Sequence, residues 1–152
     1  MMLNEERKRT IHGLNELLRG ELSAVETYSQ ALSVLRDPPD ARHNLIECQS
    51  SHRSRVDRLR QEIVDRGGHP ESTSGAWGSF AKIVEGGAKT VGSKLALSAL
   101  EAGEDHGLRE YQDLLPTLDS AARDVVSTDL YPQQMRTHGI MSSLKRQLAD
   151  AS

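Results

Sequence analysis

Two glutamates and two histidines stand where the sequence pattern calls for apolar side chains. Leu17-x-x-Gly20-Glu21-x6-Tyr28-x3-Leu32 is echoed 83 residues later by Leu100-x-x-Gly103-Glu104-x6-Tyr111-x3-Leu115. Seven residues advance a helix by roughly 700°, so each Glu shares a face with its Tyr to within about 20°. A weaker echo links Glu47-x4-His52 to Gln133-x4-His138. Glu21, His52, Glu104 and His138, converging from four helices, are donor types suited to Fe, Mn or Zn. The same four residues serve equally as carboxylate–imidazole pairs that fix the register of a bundle. A buried carboxylate is costly unless it is paired, protonated or bound to a cation. Arg55, one turn after His52, favours pairing, because a guanidinium can neutralise the acids.

The neighbours divide by helical phase. Tyr28 and Tyr111 read as amphipathic core residues, with a sharper role as hydrogen-bond donors or redox-active phenols beside a metal. Gln49 and Gln134 are expected as amide partners to the polar layer. Glu47 lies about 140° from His52 and His106 about 160° from Glu104, so both should face away. Glu26 and Glu110 fail the same phase test, and His12, His43 and His69 read as surface residues. Cys48 borders the second stripe as a small packed thiol, with no base beside it to activate it. The sequence has no Gly-rich phosphate loop, Walker lysine, H-E-x-x-H motif or nucleophile elbow.

The elements that must carry these residues are helices. Leu14, Leu18, Val25, Tyr28, Leu32 and Leu35 form a stripe that predicts a first helix over about 4–36. Asp37-Pro38-Pro39-Asp40 stops it and starts the second, with Asp37 as N-cap and a proline in the first turn. The second helix, about 38–66, carries Leu45, Gln49, His52, Val56, Leu59 and Ile63 and ends at Gly67-Gly68-His69-Pro70. A third is expected over about 93–115 and a fourth over about 119–149. The fourth stripe reads Val126, Tyr131, Gln134, His138, Met141, Leu144 and Leu148, with a kink or break near Thr128 to Tyr131 because of Pro132. Residues 76–90 read as a short amphipathic helix in the long crossover, capping the bundle with Trp77 and Phe80. The expected fold is all-α: a single-domain antiparallel four-helix bundle over 1–152 with one crossover between helices 2 and 3.

Composition agrees with that architecture. The chain has 152 residues, 19 Lys plus Arg against 22 Asp plus Glu, and a net charge of −3, which leaves no basic footprint for nucleic acid. Five aromatic residues are too few for a β-sandwich core. A single cysteine excludes an intrachain disulfide and fits a reducing compartment. With no apolar h-region at the start and no long apolar run, neither a secretory signal nor a membrane span is expected, and the location reads as cytoplasmic.

The stretch from Leu14 to Tyr28, which contains Glu21-Leu22-Ser23-Ala24, resembles the first helix of bacterioferritin-type chains. That resemblance implies an iron-ligand position for Glu21. Over nearly the whole length the chain is more similar to an uncharacterised bacterial ferritin-like family, a domain of unknown function. This rests on His52-Arg53-Ser54-Arg55-Val56-Asp57-Arg58-Leu59, Gly67-Gly68-His69-Pro70 and Gly103-Glu104-x6-Tyr111. The resemblance implies a ferritin-like four-helix bundle and is compatible with a dimer.

Di-iron sites of that fold use one Glu on each of two helices and an E-x-x-H pair on each of the other two. Here the residues three before each His are Gln49 and Met135. Counted back from the Gly-Gly-x-Pro end, a second register puts His52 at the Glu position and Arg55 at the His position. Either way the six-ligand set is incomplete and ferroxidase activity is not expected. Two functions stay open. One is a non-catalytic bundle with a buried two-Glu, two-His layer, acting in a stress-related role through oligomerisation or a protein partner. The other is a ferritin-like protein that binds Fe, Mn or Zn with weak or no oxidase activity. A homodimer is expected from the lean core and from Trp77 and Phe80.

Overall fold

A computed structural model describes residues 2–35, 39–74 and 93–150. Helix α1 spans Met2–Val34, α2 spans Pro39–Asp65, and α3 spans Ser93–Leu114. A 3-10 turn over Leu115–Thr117 leads to α4, Ser120–Val125, then a π-helical turn over Val126–Leu130 and α5, Tyr131–Asp150. No strand occurs among the described residues. The four expected helices are present within two residues of their expected ends. The Asp37 N-cap and the short helix over 76–90, with Trp77 and Phe80, lie outside the described residues.

Local chemistry sets the helix ends. Gly67 adopts φ +80°, and Gly67 and Gly68 donate to the carbonyls of Val64 and Ile63, both at 2.9 Å, closing α2 with a left-handed glycine cap. The carbonyls of Leu32 and Leu35, at and just past the end of α1, accept from the Arg42 guanidinium of α2 at 2.6 and 3.1 Å. Asp119 caps α4 by accepting from the Ala122 amide at 2.8 Å, and its own amide donates to buried Thr10 at 2.8 Å. Pro132 does not break the fourth helix. The chain widens one turn earlier, where the Tyr131 amide donates to the Val126 carbonyl across five residues. Pro132 therefore follows directly on the π turn, in the first turn of the last helix.

α1 packs most extensively on α2, and α3 on α5. Between the pairs, Tyr28 meets Glu104 and Tyr111 meets Glu21, so α1 and α3 run antiparallel. α2 and α3 are therefore parallel, so the end of α2 and the start of α3 lie at opposite ends of the bundle. The apolar core falls into two clusters. One gathers Ala24, Tyr28, Leu45, Cys48, Leu97, Leu100 and Met141, and the other Leu14, Leu18, Leu59, Ile63, Tyr111, Leu118 and Leu130. A layer of buried polar side chains lies between them.

Candidate functional site

The layer is centred on His52, which has no exposed surface. Its Nδ1 lies 2.7 Å from Glu21 Oε2 and its Nε2 lies 2.6 Å from Glu104 Oε2. Glu21 Oε1 accepts from the Tyr111 hydroxyl at 3.1 Å and from Arg55 Nη1 at 3.3 Å. Glu104 Oε2 also accepts from the Tyr28 hydroxyl at 2.7 Å. Its Oε1 accepts from Thr137 Oγ1 at 2.7 Å and Gln134 Nε2 at 3.0 Å. Arg55 is fully buried and donates further to Gln134 Oε1, Thr137 Oγ1 and Ser51. Gly107 makes room on α3, since a Cβ there would stand 2.9 Å from Gln134 Nε2.

The protonation states follow from this arrangement. A carboxylate only accepts, so two carboxylates on the two ring nitrogens require both nitrogens to carry protons. Burial and the Arg55 charge press the His52 pKa down, but Glu104 and Glu21 outweigh them and leave it above its ordinary value. Burial alone would push the Glu104 carboxyl up, and the charge and hydrogen bond of His52, with Arg55, hold it below the usual range. Burial works against the Arg55 charge too, and Glu21 more than restores it. Burial, reinforced by Glu104 for Tyr28 and by Glu21 for Tyr111, pushes both phenols far up, so they remain neutral donors. Glu21 accepts three hydrogen bonds and reads as a carboxylate. The layer thus holds two anions and two cations.

Three of the four sequence candidates, Glu21, His52 and Glu104, come together. His138 does not. It lies half-buried on the flank of α5, with Nε2 2.9 Å from Asp105 Oδ1, and the inward residue is Thr137. After Gln134 a helical stripe can continue at the third or the fourth residue, and the structure takes the third. The buried seam is Leu130, Gln134, Thr137, Met141 and Leu144. We expect His138→Ala to change unfolding free energy by less than about 1 kcal/mol in urea titration, the range of a surface pair.

Other expectations separate in the same way. Each tyrosine donates to the glutamate of the other repeat rather than to the one on its own helix. Gln134 joins the layer, whereas Gln49 turns to α1 and donates to the Val25 carbonyl at 3.0 Å and Ser29 Oγ at 2.6 Å. Glu26, His12, His43 and His69 are exposed, whereas Glu47 and His106 are half-buried. Cys48 is buried beside Tyr28, and burial, with Glu104, raises its thiol to about 12, which keeps it inert.

Glu110 is half-buried with its carboxylate over Gly20 of α1, where a Cβ would come within 2.5 Å of it. Burial, then the charges of Glu16 and Glu21, push its pKa up to about 7. A raised carboxyl pKa removes stability as pH rises from the unfolded value to the folded one. Glu110→Gln should therefore stabilise the protein at pH 8 by roughly 1 kcal/mol, after allowance for solvent screening, and leave it unchanged at pH 4.

Metal ligation demands several free lone pairs converging on one point, which the layer does not offer as it stands. Every carboxylate oxygen and both ring nitrogens are engaged, and an imidazolium and a guanidinium cannot ligate. Among the described residues, no three of His, Cys, Asp and Glu are placed to share one ion. The residues present do not fit a di-iron centre.

Comparison with other proteins bears on the fold. Residues 9–117 match the family described as "Domain of unknown function (DUF2383)". A solved structure described as "Crystal structure of ferritin like, diiron-carboxylate proteins from Bacillus anthracis str. Ames" superposes with a TM-score of 0.66 at 17% identity, covering 96% of each chain. The bundle therefore has the ferritin-like fold. No curated protein matches the chain.

Proposed function

The chain belongs to the DUF2383 family, and from that premise we propose a non-catalytic bundle protein whose charged layer locks four helices in one register without a metal. The observation that carries this reading is the commitment of every potential ligand atom to a partner inside the protein. Those partners come from α1, α2, α3 and α5, so sliding any helix by one turn would strand a buried charge. Buried polar residues serve such a registry role in coiled coils. His52 and Glu104 have no exposed surface, so no substrate reaches them without local opening.

Self-association forms part of this reading. A groove of about 420 Å³ between α1 and α2 has Leu22, Val25 and Val56 on its floor and Arg53, Asp57 and Arg60 on its rim. A two-fold contact can set the arginines of one copy against the aspartate of the other. Light scattering at high micromolar concentration should then give a dimer mass.

The competing reading is a protein that binds Fe, Mn or Zn, and it draws support from the diiron-carboxylate description of the similar Bacillus anthracis structure. Metal analysis of protein purified without chelator, with melting curves in Fe²⁺, Mn²⁺ and Zn²⁺, decides between the two. Substoichiometric metal and unchanged melting are expected. A stoichiometric ion whose stabilisation disappears in both Glu21→Ala and Glu104→Ala would overturn the metal-free reading.

A further inference from the structure

The polar layer occupies six positions with a recognisable distribution over the helices. One glutamate comes from α1 and one from α3, Glu21 and Glu104. A pair at i and i+3 comes from each of the other two helices, His52 with Arg55 on α2 and Gln134 with Thr137 on α5. All six are buried. This is the helix-by-helix distribution of a dinuclear carboxylate centre, in which each pair is E-x-x-H. The same relation runs through the repeat: Glu104 follows Glu21 by 83 residues, and Gln134 and Thr137 follow His52 and Arg55 by 82.

We propose that this layer is a dinuclear metal frame in which two side-chain cations, the His52 imidazolium and the Arg55 guanidinium, take over the charge role of the two ions. The proposal rests on the metal-free reading above and deepens it.

Charge balance supports the substitution. Two divalent ions with four carboxylates and two neutral imidazoles make a neutral centre, as do two carboxylates with one imidazolium and one guanidinium. Connectivity supports it as well. A metal pair bridges glutamates of different helices, and His52 does the same between Glu21 and Glu104. Arg55 links Glu21 to Gln134 and Thr137 on α5. Both cations stand on α2, and α5 answers with neutral acceptors. In that arrangement neither an additional acid nor an additional ion is needed for neutrality.

The test rebuilds the ligands in place. The variant His52→Glu/Arg55→His/Gln134→Glu/Thr137→His carries E-x-x-H on both α2 and α5. After Co²⁺ addition and desalting it should retain about two ions per chain, with a visible absorption band and metal-dependent melting, whereas the wild type retains below about 0.1. The half-variant His52→Glu/Arg55→His should retain about one ion.

Stoichiometric Co²⁺ on the wild type, lost in Glu21→Ala, would overturn the metal-free reading itself. A metal-free wild type beside rebuilt variants that fold and bind nothing would leave that reading standing and overturn the inference. Because metal binding adds to folding free energy, variants that stay unfolded in excess Co²⁺ count against it equally.

Discussion

Arg55→Met should destabilise the protein by about 3–5 kcal/mol, a large part of the roughly 5–15 kcal/mol that holds a domain of ordinary stability together. Methionine fills much of the volume, so the effect comes from charge rather than from a cavity. Without the guanidinium, Glu21 and Glu104 share one imidazolium, and a net negative charge is left with no exposed surface nearby. Gln134, Thr137 and Ser51 lose a donor at the same time. Arg55→Lys should restore only a fraction, since an ammonium cannot span Glu21, Gln134 and Thr137 with one planar fork. The informative contrast is Glu21→Leu/His52→Leu/Arg55→Met/Glu104→Leu combined with Tyr28→Phe/Tyr111→Phe/Gln134→Leu/Thr137→Val, which removes the whole ionic set together with the buried donors it would otherwise strand. That variant should fall within about 2 kcal/mol of wild type or exceed it, because desolvating ions offsets much of what their pairing returns. Urea titrations of the three variants measure this. A loss under about 1 kcal/mol for Arg55→Met would show that the guanidinium is not held as described.

The legibility of this site in the sequence follows the strength of each signal. The first and third helices repeat Gly-Glu-x6-Tyr with a constant offset, so phase alone places Glu21 and Glu104 inward. His52 lies among unambiguous apolar neighbours, Val56 and Leu59, and is legible in the same way. The fourth helix carries a π turn and Pro132, and its polar positions 134, 137 and 138 fit two phases. Chemistry then misleads: the histidine is the more conspicuous ligand type, and a threonine carries no comparable signal. Applying the offset of the first repeat to His52 and Arg55 points to residues 135 and 138, each one position from the buried pair. The slip arises because Glu21 and His52 are 31 residues apart whereas Glu104 and Gln134 are 30 apart, so the second hairpin is one residue shorter than the first. The crossed tyrosines are invisible for another reason. A repeat shows which residues correspond, but only the antiparallel pairing of α1 and α3 brings Tyr28 to Glu104 and Tyr111 to Glu21.

The pH dependence of stability should show a maximum in mildly acidic solution, and the signs of the shifts place it. The folded pKa of His52 is raised above its ordinary 6.5, so its contribution is complete below that value and is lost as pH rises through the folded pKa. The folded pKa of Glu104 is lowered below 4.5, so its contribution is complete above that value and is lost as pH falls through the folded pKa. Stability from the layer is therefore greatest between about pH 4.5 and 6.5. Glu21 on α1, Arg55 on α2 and Glu104 on α3 are the charges that face the imidazole, while Gln134 and Thr137 make the contribution of α5 neutral. Protonating Glu104 leaves two buried cations against one anion. Deprotonating His52 leaves two anions against one cation. Each imbalance leaves a buried charge uncompensated, so melting should fall on the acid side and again on the alkaline side. Glu110, raised to about 7, adds a separate loss of stability as pH rises from about 4.5 to about 7. Thermal melts of wild type and Glu110→Gln from pH 3 to 9 separate the two sources. The variant should keep the acid limb, hold its stability more evenly between about pH 4.5 and 7, and still show the alkaline decline of the layer. Removing the layer's charges altogether should flatten both limbs, and a four-charge variant that retained the wild-type acid limb would place the titrating group outside the layer.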